Sequence, residues 1–199
     1  MATARIHLIT DPAIPDPCRA VQEALRELAP GAASVQLRDR RARGADLLGI
    51  ALRLREICRA RGAQLLVNDR MDVALAAGAD GVHLRRDSSS VGEARAFGLR
   101  VGVSTHSVDE VRAAAAEGAD YVVFGPVFGT PGKGEPLGLD ELARACAQRV
   151  PVYALGGVDA RNAAGCMRAG ATGVACIRAV LQSGDVAGAA RLLAGAVFS

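Results

Sequence analysis

Short apolar runs alternate along this chain with longer stretches in which apolar side chains recur at helical spacing. The runs predict strands at Arg5–Thr10, Ser34–Arg38, Gln64–Asn68, Gly81–Leu84, Arg100–Ser104, Tyr121–Phe124, Val152–Leu155 and Gly173–Ile177. The stretches between them predict helices at Asp16–Ala29, Gly44–Arg61, Met71–Ala77, Val91–Phe97, Val108–Glu117, Leu139–Gln148, Ala160–Ala169 and Ala179–Ala194. Each strand is thus followed by a helix. A weak repeat marks equivalent helix-to-strand turns, at Ala77-Gly-Ala-Asp-Gly-Val, Glu117-Gly-Ala-Asp-Tyr-Val and Ala169-Gly-Ala-Thr-Gly-Val. Glycine after a helix end followed by a small residue is what a tight turn into a strand requires.

Strict alternation with short connections argues for an α/β protein whose parallel sheet is covered by helices, and eight units fit a closed (β/α)8 TIM barrel occupying residues 1–199 as one domain. The alternative, an open doubly wound sheet, lacks its nucleotide-binding signature: Thr10-Asp-Pro-Ala-Ile-Pro follows the first strand where G-x-G-x-x-G is needed.

Composition narrows the partners. A chain of 199 residues that is 50% hydrophobic has the length to bury a substantial core. A formal charge of +3, 3% aromatic content and no Trp argue against a nucleic-acid partner. Cys18, Cys58, Cys146, Cys166 and Cys176 are odd in number and dispersed, so neither a disulfide framework nor a zinc site is expected. The N-terminal residues lack a signal peptide's apolar segment and no stretch is long enough to span a bilayer, so a cytoplasmic protein with no membrane partner is expected.

In a barrel of this kind chemistry gathers at the carboxyl ends of the strands. The residues falling there include Gln36, Arg38, Asp39 and Arg40; Asn68, Asp69 and Arg70; His83, Arg85, Arg86 and Asp87; Ser104, Thr105 and His106; Gly156 and Gly157; and Ile177 and Arg178. The sixth strand feeds a long loop, Gly125 to Gly138, whose glycines and prolines forbid helix and whose one lysine, Lys133, stands near Thr130. Arginines and a lysine around few carboxylates make an anion site, and planar guanidinium forks suit phosphate oxygens, so a phosphate ester is the substrate class implied. The Gly156-Gly157 pair ahead of a helix beginning near Asp159 fits a phosphate held on backbone N–H groups. A turn chosen only for tightness is the other reading of that pair.

The runs Leu8-Ile-Thr-Asp11, Val35-Gln-Leu-Arg38, Leu66-Val-Asn-Asp-Arg70, Gly81-Val-His-Leu84, Gly102-Val-Ser-Thr-His106, Phe124-Gly-Pro-Val-Phe128, Thr130-Pro-Gly-Lys133, Ala154-Leu-Gly-Gly157 and Ala169-Gly-Ala-Thr-Gly-Val174 resemble, in order and spacing, the superfamily of thiamin phosphate synthase and thiazole tautomerase. The resemblance covers essentially the whole chain. It implies a transferase of thiamin biosynthesis that joins hydroxymethylpyrimidine diphosphate to thiazole phosphate and releases pyrophosphate with magnesium.

Carried onto matching positions, the resemblance gives Gln36, Arg38 and Asn68 to the pyrimidine diphosphate and Asp69 to magnesium, with Asp87, one position before the expected second ligand, able to reach the metal if its loop shifts. It gives Ser104 and Lys133 to the departing diphosphate and His83 to the pyrimidine side. Thr130, Gly156, Gly157, Ile177 and Arg178 fall to the thiazole phosphate. Arg38, Ser104 and Lys133 would carry the catalysis. The chain departs from the pattern in several places: Ser88 stands where a second metal-binding Asp is expected, Arg40 replaces a Lys, Gly132 a Thr, and Arg178 a Ser. The tautomerase is the alternative activity. It needs a general base, and the His expected for it is Pro126 here, leaving His7 and His106 as substitutes. A non-catalytic relative that binds a thiamin precursor is the third reading.

Overall fold

A computed structural model describes residues 4–85 and 88–199. Its eight strands are β1 (Ile6–Ile9), β2 (Ala33–Leu37), β3 (Gln64–Asn68), β4 (Gly81–Leu84), β5 (Arg100–Thr105), β6 (Tyr121–Phe124), β7 (Val152–Ala154) and β8 (Gly173–Cys176). They pair in parallel in sequence order, and β8 closes on β1 through Leu8↔Cys176. The closed parallel (β/α)8 barrel expected from the alternation is therefore present, and every strand delivers its carboxyl end to the same rim.

The helices are α1 (Pro17–Arg26), α2 (Gly44–Ala60), α3 (Met71–Ala76), α4 (Val91–Ala96), α5 (Val108–Ala116), α6 (Gly138–Cys146), α7 (Ala163–Arg168), α8 (Arg178–Leu181) and α9 (Val186–Phe198). Their starts follow local chemistry. Asp16 accepts from Arg19 N with Pro17 at the first turn of α1, and Ser90 and Glu93 form a reciprocal cap on α4. Two expectations change. The helix expected over 179–194 is broken in two, because Asp185 accepts from Gly188 N and caps a new helix after Ser183 and Gly184. The helix after Gly157 begins at Ala163, with a turn over 158–162 in between.

Strand residues alternate between two environments. Val35, Leu37, Leu65, Val67, Val82 and Leu84 pack outward against buried helix faces such as Leu47, Leu54 and Ala51. Burial of each leucine contributes about 1.5–3 kcal/mol. Ile9, Leu66, Tyr121, Val123, Tyr153 and Ala175 fill the barrel axis. Gly102 makes room for this layer, since a Cβ there would lie 2.0 Å from the Tyr121 ring. Arg100 lies over Tyr121 at 5.2 Å and bonds to Gln64. Above these rings the interior turns polar, with His7, Ser34, Gln36 and His83 all buried.

Candidate active site

Two groups of side chains stand at the carboxyl rim, one over β1 to β5 and one over β5 to β8. The first is a hydrogen-bonded chain that crosses three strands. His7 Nδ1 lies 2.8 Å from Ser34 Oγ and its Nε2 2.9 Å from Gln36 Oε1. Gln36 Nε2 donates to Asn68 Oδ1 at 2.8 Å, and Asn68 Nδ2 donates to Asp69 Oδ2 at 2.8 Å. Beside it, His83 Nδ1 lies 3.2 Å from Tyr121 Oη and Nε2 2.8 Å from Ser104 Oγ. Gln36 and His83 are each 2% exposed, whereas Asn68 and Ser104 are half-buried, so the latter pair carries this group's polar atoms to the rim.

Burial disfavours the imidazolium form here. It drives the His7 pKa down to about 4, against the hydrogen bond to Gln36 and with the help of Arg100. It drives His83 down to about 3, with His7 adding to the effect and Asp69 opposing it. Both rings are neutral near pH 7.

Asp69 sits just past β3 with φ 58, the one non-glycine residue in the left-handed region among the described residues. That conformation costs about 1 kcal/mol for an ordinary residue, less for Asp. It turns the carboxylate toward the loop after β4. There Oδ1 accepts from Arg85 N at 3.0 Å and from the Ser88 hydroxyl, while Oδ2 accepts from Arg85 Nε at 2.6 Å as well as from Asn68. Burial opposes ionisation of Asp69, but the bonds from Ser88 and Arg85 outweigh it and hold its pKa below the usual carboxylate range.

Arg38 is placed by Thr10, whose hydroxyl accepts from Arg38 N at 2.8 Å and donates to Arg38 O at 3.3 Å. Its Nη1 pairs with Asp11 Oδ2 at 3.2 Å. Partial burial and then Arg40 lower its pKa, with Asp11 and Asp69 pulling the other way. A guanidinium stays charged across the neutral range. Asp39 serves the turn, accepting from Arg41 N and Ala42 N.

The second group surrounds a cleft of about 560 Å³ lined by His106, Thr130, Lys133, Gly156, Gly157, Ile177 and Arg178. The long loop after β6 is pinned to the β7 turn through Val127 N to Leu155 O at 2.8 Å and Phe128 N to Gly156 O at 2.9 Å. Its middle, including Lys133, is exposed. Both glycines of the pair are required. Gly156 has φ 97, and a Cβ there would meet Pro126 Cα at 2.5 Å. Gly157 has φ 64, and a Cβ there would meet Gly129 O and Phe128 Cβ at 2.8 Å. Asn162 Nδ2 donates to Gly157 O at 2.9 Å and steadies the turn. His106 Nδ1 lies 2.5 Å from Gly125 O, which places its proton on that nitrogen.

The structure thus gathers Gln36, Arg38, Asn68, Asp69, His83 and Ser104 at one half of the rim and Thr130, Lys133, Gly156, Gly157, Ile177 and Arg178 at the other. Asp87 and Arg86 lie outside the described residues. Among the described residues no group of three or more His, Cys, Asp or Glu is placed to hold a metal ion. Sequence reasoning did not find four supports of this site: Thr10 and Asp11 on Arg38, Arg85 on Asp69, and Asn162 on the glycine turn. Thr10 and Asp11 carried a signal, because both follow β1 directly.

No helix among the described residues is long and apolar enough to cross a membrane. The family model described as thiamine monophosphate synthase matches residues 6–180. A thiamine-phosphate synthase of Methanoculleus marisnigri is 49% identical over 170 residues, 82% of this chain and 81% of that one. One of Methanospirillum hungatei JF-1 is 40% identical over 196 residues, 95% of each chain. The solved structure of a thiamine phosphate pyrophosphorylase from Pyrococcus furiosus superposes with a TM-score of 0.91 at 33% identity, covering 99% of this chain and 96% of that one. The chain belongs to the thiamine monophosphate synthase family.

Proposed function

We propose that this chain is a transferase that joins hydroxymethylpyrimidine diphosphate to thiazole phosphate, giving thiamin phosphate and pyrophosphate. The observation that carries this reading is the division of one rim into two halves, one carrying the Arg38 guanidinium and one the Gly156-Gly157 turn beside a cleft, each suited to a phosphate group. A reaction between two phosphorylated substrates asks for such a division. An enzyme with one phosphorylated substrate needs a single half.

The pyrimidine diphosphate lies over β2 to β5, where Asn68 and Ser104 present polar atoms. Gln36 and His83 orient those two from below. The thiazole phosphate occupies the cleft, its phosphate against the backbone of Gly156 and Gly157 with Thr130, Ile177 and Arg178 around it. In the reaction the bond from the pyrimidine methylene carbon to the diphosphate oxygen breaks and its electron pair leaves with that oxygen. The thiazole nitrogen supplies the pair for the new carbon–nitrogen bond. No protein nucleophile is needed, and the protein's part is to hold the reactants and receive the charge on the leaving group. Arg38 supplies positive charge for this on its own half of the rim, while Lys133, which the resemblance gives to the departing diphosphate, lines the other half. The Ser104 hydroxyl, 2.8 Å from His83 Nε2, lies at the rim of the same half.

The resemblance also brings magnesium to Asp69. Every acceptor position of that carboxylate is already taken, so the arrangement does not fit a resident ion and no step is routed through one. The tautomerase reading loses one of its two substitute bases, since His7 is buried with both ring nitrogens bonded to Ser34 and Gln36.

Purified protein given both substrates, each alone, and each thiazole tautomer, with and without magnesium, tests the proposal by chromatography of the products. Thiamin phosphate and pyrophosphate in equal amounts from the complete mixture are expected. Tautomer exchange without the pyrimidine substrate, and no thiamin phosphate, would overturn it.

A further inference from the structure

An ionised carboxylate has about four lone-pair positions. Those of Asp69 are filled by Arg85 N, Ser88 Oγ, Asn68 Nδ2 and Arg85 Nε. Magnesium demands oxygen ligands at about 2.0–2.1 Å in near-octahedral geometry. It reaches this carboxylate only by displacing a donor. The donor already in place is a cation with a charge-assisted bond of 2.6 Å, the strong class of hydrogen bond. Ser88, standing where the resemblance expects a second carboxylate, donates to Asp69 and adds no negative charge. Among the described residues Asp69 is thus paired with a guanidinium and a neutral hydroxyl, where a second aspartate in place of Ser88 would add negative charge.

We infer that Arg85 is a resident counter-ion that competes with divalent metal for Asp69. The guanidinium is tied to the same loop as the backbone N–H that Asp69 also accepts, so the competitor is always present at the carboxylate. The Asp69 side chain is 21% exposed and that of Arg85 41%, which screens the pair only in part. Metal binding at Asp69 is weak while Arg85 holds it and strengthens when the guanidinium is removed. The inference rests on the proposed function only in treating Asp69 as part of the substrate rim. Its test contains neither substrate, so the two readings fail separately.

The experiment is titration of substrate-free protein with Mn²⁺, read by the loss of the free-ion signal in electron paramagnetic resonance. Arg85→Ala is expected to bind Mn²⁺ about tenfold more tightly than the unaltered chain, the loss of one hydrogen bond to a charged group. Asp69→Asn added to Arg85→Ala is expected to remove that gain. Arg85→Lys keeps a cation on the same backbone and is expected to stay near the unaltered affinity. A gain in Arg85→Ala below about threefold, a gain that survives Asp69→Asn, or an equal gain in Arg85→Lys overturns the inference. Arg85 lies at the rim outside the packed core, so all of these variants retain the interactions that fold the barrel.

Discussion

His7 Nε2 lies 2.9 Å from Gln36 Oε1, and this contact ends a chain of hydrogen bonds whose direction is set at its far end by Asp69. An ionised carboxylate only accepts, so Asn68 turns its NH2 to Asp69 and its oxygen to Gln36. Gln36 then turns its NH2 to Asn68 and its oxygen to His7, and His7 must carry its proton on Nε2. Nitrogen-15 NMR of the His7 ring is expected to show protonated Nε2 and bare Nδ1 from pH 8 to pH 5. A proton on Nδ1 would mean that the amides point the other way.

The same burial makes stability depend on pH. Folded, His7 and His83 titrate near 4 and 3, against 6.5 when exposed. A base whose folded pKa is depressed contributes fully above its unfolded pKa, and that contribution is lost as pH falls below about 6.5. Each histidine adds about 1.4 kcal/mol per pH unit to the decline once the unfolded form is protonated. Urea unfolding of His83→Gln between pH 6 and pH 5 is expected to be shallower than that of the unaltered chain by about 1 kcal/mol per unit. Equal slopes would contradict the buried neutral assignment.

Gly157→Ala forces a methyl group against Gly129 O and Phe128 at 2.8 Å in a backbone region that alanine avoids. The turn must open. The KM for thiazole phosphate is expected to rise by about tenfold or more, since roughly 1.4 kcal/mol of lost phosphate binding is enough for that. The KM for the pyrimidine substrate should hold. Steady-state kinetics with each substrate varied in turn decides it.

Arg38→Ala removes a fixed cation from the proposed leaving-group side, and a loss of about 100- to 1000-fold in kcat is expected, the size seen when one charge-stabilising donor is deleted. Asp11→Asn leaves Arg38 in place but loosens it, and a smaller loss is expected. Single-turnover rates separate these effects from product release.

The barrel and its rim were legible because short apolar runs and helical spacing alternate without interruption from Arg5 onward, and a parallel barrel sends every strand end to one face. The glycine pair was legible for a similar reason: few residues other than glycine tolerate φ 97 followed by φ 64. Depth was not. Gln36 and His83 stand at inward strand positions like Asn68 and Ser104, and only the stagger of the barrel decides which pair is covered. The state of Asp69 was also hidden, since Arg85 is sixteen residues away in sequence and meets it through the turn of a loop. The break in the last helix was readable in principle, because Ser183-Gly184-Asp185 is a stop followed by a cap.

Two anions held in separate halves of one rim make product inhibition by pyrophosphate selective. Initial rates are measured against each substrate in turn with inorganic pyrophosphate added. The account predicts competition with the pyrimidine diphosphate, none with the thiazole phosphate, and the same pattern in Gly157→Ala. Pyrophosphate that competes with thiazole phosphate would place both anions in one half and contradict it.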